Sequence, residues 1–317
     1  MNAGVVETAR AFAHEALLYD SDDEFVSAVA EFIREGVDAG EPVLVVVGAA
    51  KIARLRDELN GAGEAVVFAD MAELGANPAR IIPAWQQFVE QHLRDDRPVR
   101  GIGEPIWAER TADELVECQR HESLLNLAFA DAPAWRLLCP YDISRLADAV
   151  IEEALRSHPI VVRKGERGAS ASYCGLSAPA RPFDLPLSDP PANAEVFEFD
   201  GAHLGGGRQL VSRRAADAGL SPARKIDLVL AVNEILTNSV RHGGGSGVLR
   251  IWQDDGRLVC EVEDHGRIDD PLVDRRRPGP DQMGGRGLWM ANQICDLVQL
   301  RSAGGGRNIV RLHMHRG

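Results

Sequence analysis

The chain has 317 residues, 45% of them hydrophobic, and a formal net charge of -13 at pH 7. This length predicts two domains, each with enough apolar residues for a core of its own. The negative charge argues against sequence-independent binding to nucleic acid or to an anionic membrane, and no apolar run approaches the roughly 20 residues of a membrane span.

The five cysteines include no CxxC pair, which favours a reducing compartment over a disulfide framework. The N-terminal stretch MNAGVVETARAFAHEA has no basic region followed by an apolar core, so we expect no signal peptide. These features predict a cytoplasmic protein without direct contacts to nucleic acid or membrane.

Residues 12–162 alternate short apolar runs with amphipathic stretches, which is typical of an α/β domain. The β-branched run EPVLVVVG (41–48) predicts a strand buried on both faces of a parallel sheet. Further strands are predicted at 65–70, 99–104 and 135–142, and helices at 51–63, 77–96, 111–130 and 144–158. The third helix begins with Thr111 as its predicted N-cap.

Tight chemical motifs are missing from this half. The strand-loop-helix EPVLVVVGAAKIARL stands where a phosphate-binding loop is expected, but it lacks the pattern GxxxxGK(S/T). His121-Glu122 is similar to the phosphoacceptor box of sensor histidine kinases, yet it lies in an α/β alternation rather than in a two-helix hairpin. Four further side chains either line a pocket or, as we favour, are partly buried and satisfied by the backbone: His14, Tyr19, Glu104 and Trp107.

As a whole, this half resembles the MEDS sensory domain of methanogen and methylotroph regulators. The matching stretches are HEALLYDSDDEF, FIREGVDAGEPVLVVV, ESLLNLAF, LLCPYD and LRSHPIV, and the resemblance spans about Phe12 to Val161. It implies a sensing role on a RecA-like α/β scaffold, with an unidentified small ligand.

Residues 163–193 are rich in Pro, Ser, Ala and Gly without periodicity, which predicts a linker to a second domain at 194–317. The predicted elements of that domain are a strand at 196–200, helices at His203–Gly219 and Ser221–His242, a hairpin at 248–266 that turns at Asp255-Gly256, a helix near 287–298, and strands at 297–302 and 307–315. This order predicts helices packed on one face of a mixed sheet.

The helix that ends in NEILTNSVRHG (233–243) is amphipathic. At ~100° per residue, its apolar face comprises Val229, Val232, Leu236 and Val240, and its polar face comprises Glu234, Asn238 and Arg241, flanked by Asp227 and Ala231. A polar helical face is usually just solvated, so the pair Glu234 and Asn238 does not by itself identify a site.

The strand VCEVED ends in Asp264, and Gly266 follows two residues later. A carboxylate at a strand end can accept a hydrogen bond from an exocyclic amine such as that of adenine, and a glycine lets the backbone approach the ring. Turn chemistry alone also explains this pattern.

The stretch QMGGRGLWM brings Gly284, Gly285 and Gly287 to the start of an amphipathic helix, whose N-terminal N–H groups suit phosphate oxygens. The polar segment before it, residues 267–282, predicts a mobile loop that closes over a nucleotide. Its arginines 275–277 either contact phosphates or a partner, or form a solvated charge run.

Taken in order, Glu234 with Asn238, Asp264-x-Gly266 and Gly285-x-Gly287 resemble the N, G1 and G2 boxes of the Bergerat-fold (GHKL) ATPases. Within that superfamily, NEILTNSVRHG and the compact size are most similar to the anti-sigma factor serine kinases. The two halves together resemble the RsbA-like anti-sigma regulatory factors. The resemblance implies a RecA-like or Rossmann-like α/β sensory domain followed by an α+β Bergerat-fold domain.

The same resemblance implies that the second domain binds ATP and Mg²⁺. Asn238 would hold the Mg²⁺ ion, and Glu234 would act as the general base that activates a serine hydroxyl of a protein substrate. Asp264 would bind the adenine amine, with Gly266 making room for the ring. The other residues implied for the ATP site are Gly285, Arg286, Gly287, Arg241 and His242.

The implied function is an anti-sigma regulator that binds a sigma factor and phosphorylates a STAS-type anti-sigma antagonist; a homodimer is left open. Two departures favour an alternative, a pseudokinase that only sequesters its partner. Ile268 stands where DxGxG has its second glycine, and GGGRNIVRL lacks the usual threonine. An orthodox sensor histidine kinase, the third alternative, lacks a convincing phosphoacceptor hairpin.

Overall fold

The computed structural model describes residues 12–92, 98–176, 185–278, 285–303 and 306–316. The chain divides into two units, Met1–Phe183 and Asp184–Gly317. None of the helices in the described ranges combines the length and the apolar character that crossing a bilayer requires.

The N-terminal unit alternates strands and helices as the sequence predicts. Its strands are β1 (Ala13–Tyr19), β2 (Val43–Val47), β3 (Val66–Asp70), β4 (Val99–Gly103), β5 (Trp135–Asp142), β6 (Ile160–Arg163) and β7 (Glu166–Ala169). Its helices are α1 (Asp22–Asp38), α2 (Ala49–Leu59), α3 (Met71–Leu74), α4 (Ile81–His92), α5 (Ala112–Ala128) and α6 (Asp148–Ser157). Thr111 caps α5 in a capping box with Glu114, which confirms the predicted N-cap.

The sheet of this unit has the order β3-β2-β4-β5-β1-β6-β7. Every pairing is parallel except the β6–β7 hairpin. All five residues of β2 are buried, as expected for a strand covered on both faces. The predicted parallel α/β fold is therefore confirmed.

The strand β7 lies in the segment predicted to be linker, so that interpretation is corrected for residues 166–169. β7 forms because Lys164 and Gly165, both at positive φ, make a two-residue turn after β6. All four residues of β7 are exposed, so no apolar alternation marked the strand in the sequence.

The C-terminal unit contains β8 (Glu195–Asp200), α7 (Leu204–Asp217), α8 (Pro222–His242), β9 (Ser246–Asp254), β10 (Arg257–Asp264), α9 (Arg286–Ile294), β11 (Leu297–Ala303) and β12 (Arg307–His315). Its sheet has the order β11-β12-β10-β9-β8. The hairpin β9–β10 turns at Asp255 and Gly256, both at positive φ, as predicted.

All four strand pairs of this sheet are antiparallel, so the expectation of a mixed sheet is corrected. The reason lies in the connection from β8 to β9. A single helix would carry the chain back to the end of the sheet at which β8 began, and the next strand would run parallel to β8. Two helices, α7 and α8, instead return the chain to the end at which β8 finished, so β9 runs antiparallel to it. The α+β class of the unit is unaffected.

One face of this sheet carries the core with the three helices. Alternate residues of β10 and β12, such as Cys260, Val262 and Leu312, point into that core. On α8 the buried residues include Ala231 and Ile235, whereas Val229 and Val240 are only partly buried. The apolar face therefore lies further round the helix than predicted, and Ala231 belongs to the core rather than beside the polar face.

The opposite face carries buried polar side chains. Arg311 is paired with Glu261 at 2.6 Å and donates to the carbonyl of Ser188 at 2.6 Å. Arg301 donates to the carbonyl of Leu185 at 3.1 Å. Residues 185–188, which the sequence assigned to the linker, therefore pack on the sheet of the C-terminal unit.

The buried carboxylate of Glu15 holds β7 to the sheet of the N-terminal unit. Arg136 on β5 and Arg167 on β7 each bind it through an Nε contact of 2.8 Å. Burial opposes ionisation of this group, but the hydrogen bonds from Arg167 and Arg136 outweigh it and lower the pKa of Glu15.

Replacing Glu15 by Gln is expected to lower the free energy of unfolding by about 1–3 kcal/mol, because two arginines lose a buried anion. Since the folded-state pKa is lowered, this contribution is present above the usual value of 4.5 and is lost as the pH falls below it. Urea unfolding of both proteins at pH 7 and at pH values well below 4.5 measures the difference in the free energy of unfolding and its decrease in acid.

Glu58→Gln is the matched control. Glu58 pairs with Arg34 at 2.8 Å, but its side chain is 47% exposed. An exposed pair of this kind contributes about 0.5 kcal/mol. Equal losses in the two variants would contradict the role assigned to Glu15.

Candidate functional site

Glu234 and Asn238 lie one turn apart on α8, half-buried, against the first turn of α9. A Cβ atom placed on Gly287 would lie 2.8 Å from Oε2 of Glu234 and 3.2 Å from Nδ2 of Asn238. Any side chain at position 287 would therefore displace one of the two polar groups. The structure brings together these three sequence-predicted residues, and the glycine is what allows the approach.

Asp264, at the end of β10, is buried and accepts hydrogen bonds from three elements. Its Oδ1 accepts from the backbone N–H of Gly266 at 2.9 Å and from the side-chain amide of Asn308 at 3.0 Å. Its Oδ2 accepts from the hydroxyl of Ser239 at 2.6 Å. That hydroxyl is also 3.1 Å from the carbonyl of Ile235, but its single hydrogen goes to the shorter contact with the charged oxygen.

Each carboxylate oxygen can accept two hydrogen bonds. Oδ1 of Asp264 has both from Gly266 and Asn308, whereas Oδ2 has one, from Ser239, among the described residues. Oδ2 can therefore accept one further donor, as an adenine amine requires.

The end of α8 packs tightly on the turn after β10. A Cβ on Gly243 would lie 2.5 Å from Cγ of Asp264, and one on Gly266 would lie 2.9 Å from the carbonyl oxygen of His242. The backbone N–H of His265 donates to the carbonyl of Gly243 at 3.1 Å. Both glycines are thus required by close backbone approach.

Helix α9 begins at Arg286, and its N-cap residue is Gly285, with a φ of 81°. Gly285 and Arg286 are exposed, and Gly284 lies outside the described residues. Glycine has no side chain with which to cap the helix, so the first-turn N–H groups depend on other acceptors, of which an anion is one.

The loop before α9 is anchored at its first half. Leu272 is 1% exposed, and the side-chain amide of Asn292 on α9 lies 3.2 Å from the carbonyl oxygen of Asp274. Arg275 is buried, whereas Arg276 and Arg277 are exposed. Arg275 is therefore not part of a solvated charge run, whereas closure of the loop over a nucleotide stays a prediction; residues 279–284 fall outside the described residues.

Two residues from the sequence prediction lie at the margin of this cluster. Arg241 and His242 are exposed in the last turn of α8. Conversely, Ser239 and Asn308 are partners of Asp264 that the sequence reasoning missed. Asn308 lies opposite Asp264 in the β10–β12 register, which only the folded sheet reveals.

The first departure from the family pattern, Ile268, is accommodated by the fold. Ile268 is partly buried and packs against the core of the C-terminal unit. Its backbone N–H is 3.4 Å from the hydroxyl of Ser302, which donates to Oδ1 of Asn308 at 2.6 Å. In this way Ser302 orients the amide that holds Asp264.

Of the four polar residues singled out in the sequence of the N-terminal unit, the side chains of His14, Tyr19 and Glu104 bind other side chains rather than the backbone. Tyr19 donates to Glu104 at 2.6 Å, and Lys51 lies 2.6 Å from the same carboxylate oxygen. Burial raises the pKa of Glu104, while the ammonium of Lys51 opposes that rise. His121 is 1% exposed, which argues against its accepting phosphate, and Trp107 stacks on Arg110 at 3.8 Å.

Family models match both halves of the chain. The model described as the MEthanogen/methylotroph, DcmR Sensory domain (MEDS) matches residues 13–159. The model of the histidine kinase-like ATPase domain matches residues 197–314. The chain therefore carries a MEDS sensory domain followed by a histidine kinase-like ATPase domain, the combination expected from the resemblance to anti-sigma regulatory factors.

Two solved structures are similar to part of the chain. The RsbU and RsbW domains of Rv1364c from Mycobacterium tuberculosis are 20% identical over 39% of this chain and 33% of that chain, with a TM-score of 0.30. The Acinetobacter baumannii histidine kinase AdeS is 12% identical over 39% of this chain and 68% of that chain, with a TM-score of 0.26. No curated protein matches the chain.

The contacts of Asp264 generate a stability prediction. Ser239→Ala removes a charge-assisted hydrogen bond to a buried carboxylate but gains helix propensity, so we expect a net loss of about 1–2 kcal/mol in the free energy of unfolding. Urea unfolding followed by circular dichroism measures this loss. Thr237→Val is the control, because the hydroxyl of Thr237 donates within α8, to the carbonyl of Asn233. If Thr237→Val lowered the free energy of unfolding as much as Ser239→Ala, the role assigned to the Ser239–Asp264 hydrogen bond would be refuted.

Proposed function

We propose that this chain is a cytoplasmic anti-sigma regulator that works by partner switching. The ATPase-like domain binds ATP with Mg²⁺ and a sigma factor, and it phosphorylates a serine of a STAS-type anti-sigma antagonist. The MEDS domain binds a small ligand and determines which partner is held. The order of the two domains supports this proposal.

The observation that carries the proposal is the convergence of the three boxes. Glu234 and Asn238 meet Gly287 across the α8–α9 interface, and Asp264 is tied to α8 through Ser239. Residues distant in the sequence thus come together around α8, close to the N-terminus of α9. A solvated helical face would not require a glycine on its neighbour.

Asp264 is the proposed adenine ligand. Its Oδ2 has the capacity to accept the exocyclic amine, and Gly266 donates its backbone N–H to Oδ1 from the turn that follows β10. The donors to Oδ1 hold the carboxylate in place before nucleotide binds, which reduces the entropy lost on binding.

Asn238 is the proposed Mg²⁺ ligand, since an amide oxygen is a hard ligand of the kind that Mg²⁺ prefers. The ion neutralises phosphate charge when it is bound. Gly285, Arg286 and Gly287 border the phosphates at the start of α9, and Arg241 and His242 flank them from α8.

Glu234 is the proposed general base. Its carboxylate accepts the proton of the substrate serine as that oxygen forms a bond to the γ-phosphorus, and ADP leaves with the electrons of the broken P–O bond. The half-buried position of Glu234 beside Asn238 agrees with this role, because the base must lie close to the phosphate end of the nucleotide.

The second candidate is a pseudokinase that keeps nucleotide as a structural ligand and acts by sequestration. Ile268 in place of the second G1 glycine is the specific observation that favours it. Both candidates require Asp264, whereas only the kinase requires Glu234. Binding and phosphotransfer therefore need separate tests.

Asp264→Asn is expected to weaken ATP binding about 30-fold or more, because the amide offers a donor where the adenine amine needs an acceptor. Isothermal titration with ATP and GTP measures both the affinity and the preference for adenine, which the variant should lose. The control Asp254→Asn changes an exposed residue at the other end of β9. Unchanged ATP affinity in Asp264→Asn, or no nucleotide binding by the wild type, would refute the site.

Glu234→Gln keeps the shape of the side chain and removes the base. We expect phosphotransfer to the antagonist to fall about 100-fold or more, with the Kd for ATP changed by no more than about threefold. Labelled phosphate on the antagonist is the readout, with Glu198→Gln on exposed β8 as the control. Full transfer by Glu234→Gln would exclude the base role, and tight ATP binding without transfer by the wild type would favour the pseudokinase.

A further inference from the structure

Four side chains that can bind a metal converge inside the N-terminal unit. They are His14 on β1, Glu122 on α5, Cys139 on β5 and His158 at the end of α6. All four are buried, and none is more than 1% exposed. Their potential ligand atoms all lie within 4.8 Å of one another. The function proposed above does not involve these four residues.

The fold itself produces this convergence. β1 and β5 are neighbouring parallel strands in which Ala16 lies opposite Cys139, so His14 and Cys139 point to the same face of the sheet. Glu122 and Asn126 lie one turn apart on α5, facing His14. The chain therefore reaches the cluster from two strands and two helices.

Hydrogen bonds fix the tautomers of both imidazoles. Nδ1 of His158 donates to the carbonyl of Ala154 at 2.8 Å, because a carbonyl can only accept. The amide of Asn126 donates to the carbonyl of Ser157 at 2.6 Å, which turns its oxygen toward Nδ1 of His14 at 3.2 Å. In both neutral rings the proton is on Nδ1, and the lone pair of Nε2 points into the cluster.

Both lone pairs face the carboxylate of Glu122, and the thiol of Cys139 can donate its hydrogen to one of them, that of His14. Nε2 of His14 lies 3.1 Å from Oε2 of Glu122 and 3.4 Å from Sγ of Cys139. Nε2 of His158 lies 3.3 Å from the same Oε2 and, within the described residues, makes no hydrogen bond. The thiol hydrogen leaves the lone pair of His158 facing the carboxylate, whereas a cation between the four atoms is attracted to both lone pairs, the carboxylate and a thiolate.

Three of the six distances between the ligand atoms are close to those around a four-coordinate ion, and all six are within 4.8 Å. Ligand atoms about 2.0–2.3 Å from a tetrahedral Zn²⁺ ion lie roughly 3.3–3.8 Å apart, close to the 3.1, 3.3 and 3.4 Å found here. Metal-bound histidines usually donate their other ring N–H to a carbonyl or a comparable oxygen, as Nδ1 of both His14 and His158 does.

A Cys-His-acid relay does not explain the cluster. Such a relay uses the two different nitrogens of one ring, one toward the thiol and one toward the acid. His14 uses Nε2 toward both Cys139 and Glu122. Complete burial also denies a substrate access to the thiol.

We propose that His14, Glu122, Cys139 and His158 bind one divalent transition metal ion of the Zn²⁺ class within the sensory domain. Nitrogen and sulfur donors favour such an ion over Mg²⁺ or Ca²⁺, which prefer oxygen ligands. Cys139 binds as the thiolate and releases its proton to solvent. The ion joins β1, β5, α5 and α6, so its binding stabilises the N-terminal unit.

The test uses the full-length protein produced in medium with added zinc and, in parallel, with added cobalt. We expect about one metal ion per chain by elemental mass spectrometry. The cobalt protein is expected to have a thiolate-to-cobalt charge-transfer band and visible bands of four-coordinate intensity. Neither metal in a folded wild-type protein overturns the proposal.

Cys139→Ser and His158→Gln are expected to reduce the metal content about tenfold or more, and Cys139→Ser to remove the charge-transfer band. The control Cys118→Ser replaces another buried cysteine of the same unit, whose thiol donates to the carbonyl of Pro105. It should keep both the metal and the spectrum. Equal loss in Cys118→Ser and Cys139→Ser, or an unchanged band in Cys139→Ser, refutes the assignment; wild-type spectra settle the matter if a variant does not fold.

Discussion

The ATPase-like domain is organised around the burial of one carboxylate, that of Asp264. A charge removed from water must find hydrogen-bond donors within the protein. Here the donors come from α8, from the turn after β10 and from β12, through Ser239, Gly266 and Asn308. Because these elements are far apart in the sequence, the carboxylate is satisfied only when the helix and the sheet are in register. The proposed adenine ligand is thus preorganised by the fold itself.

The second half of the candidate site depends on the absence of a side chain. Gly287 lets α9 approach α8 at the level of Glu234 and Asn238. The loop before α9 is linked to α9 itself, because the side-chain amide of Asn292 donates to the carbonyl of Asp274. The described part of the loop therefore contacts α9, the same helix whose first turn packs against the polar pair on α8.

Sequence patterns sufficed where a feature depends on local chemistry. The run VLVVV, the Asp255-Gly256 turn and the Thr111 cap each predict their structure from a few neighbouring residues. Sequence patterns failed where a contact depends on how two strands distant in the sequence pair, as for Asn308, which lies opposite Asp264 in the β10–β12 pair. The strand β7 escaped detection because an exposed edge strand needs no apolar alternation.

The four-residue cluster of the sensory domain was hidden for the same reason. Its members are separated by up to 144 positions between His14 and His158, so no metal-binding spacing is visible in the chain. The sequence interpretation regarded His14 and Glu122 as unrelated residues. Parallel pairing of β1 with β5 and the packing of α5 and α6 create their proximity.

The departures from the family pattern bear on affinity and on catalysis differently. Ile268 and Asn308 belong to the region around Asp264, where Ile268 packs against the core and Asn308 binds the carboxylate. Glu234 lies instead at the α8–α9 interface, next to Gly287. We expect a change on the proposed adenine side to alter nucleotide affinity without moving the proposed base. Ile268 in place of the family glycine therefore bears first on affinity, and the surroundings of Glu234 are where a pseudokinase should differ from a kinase.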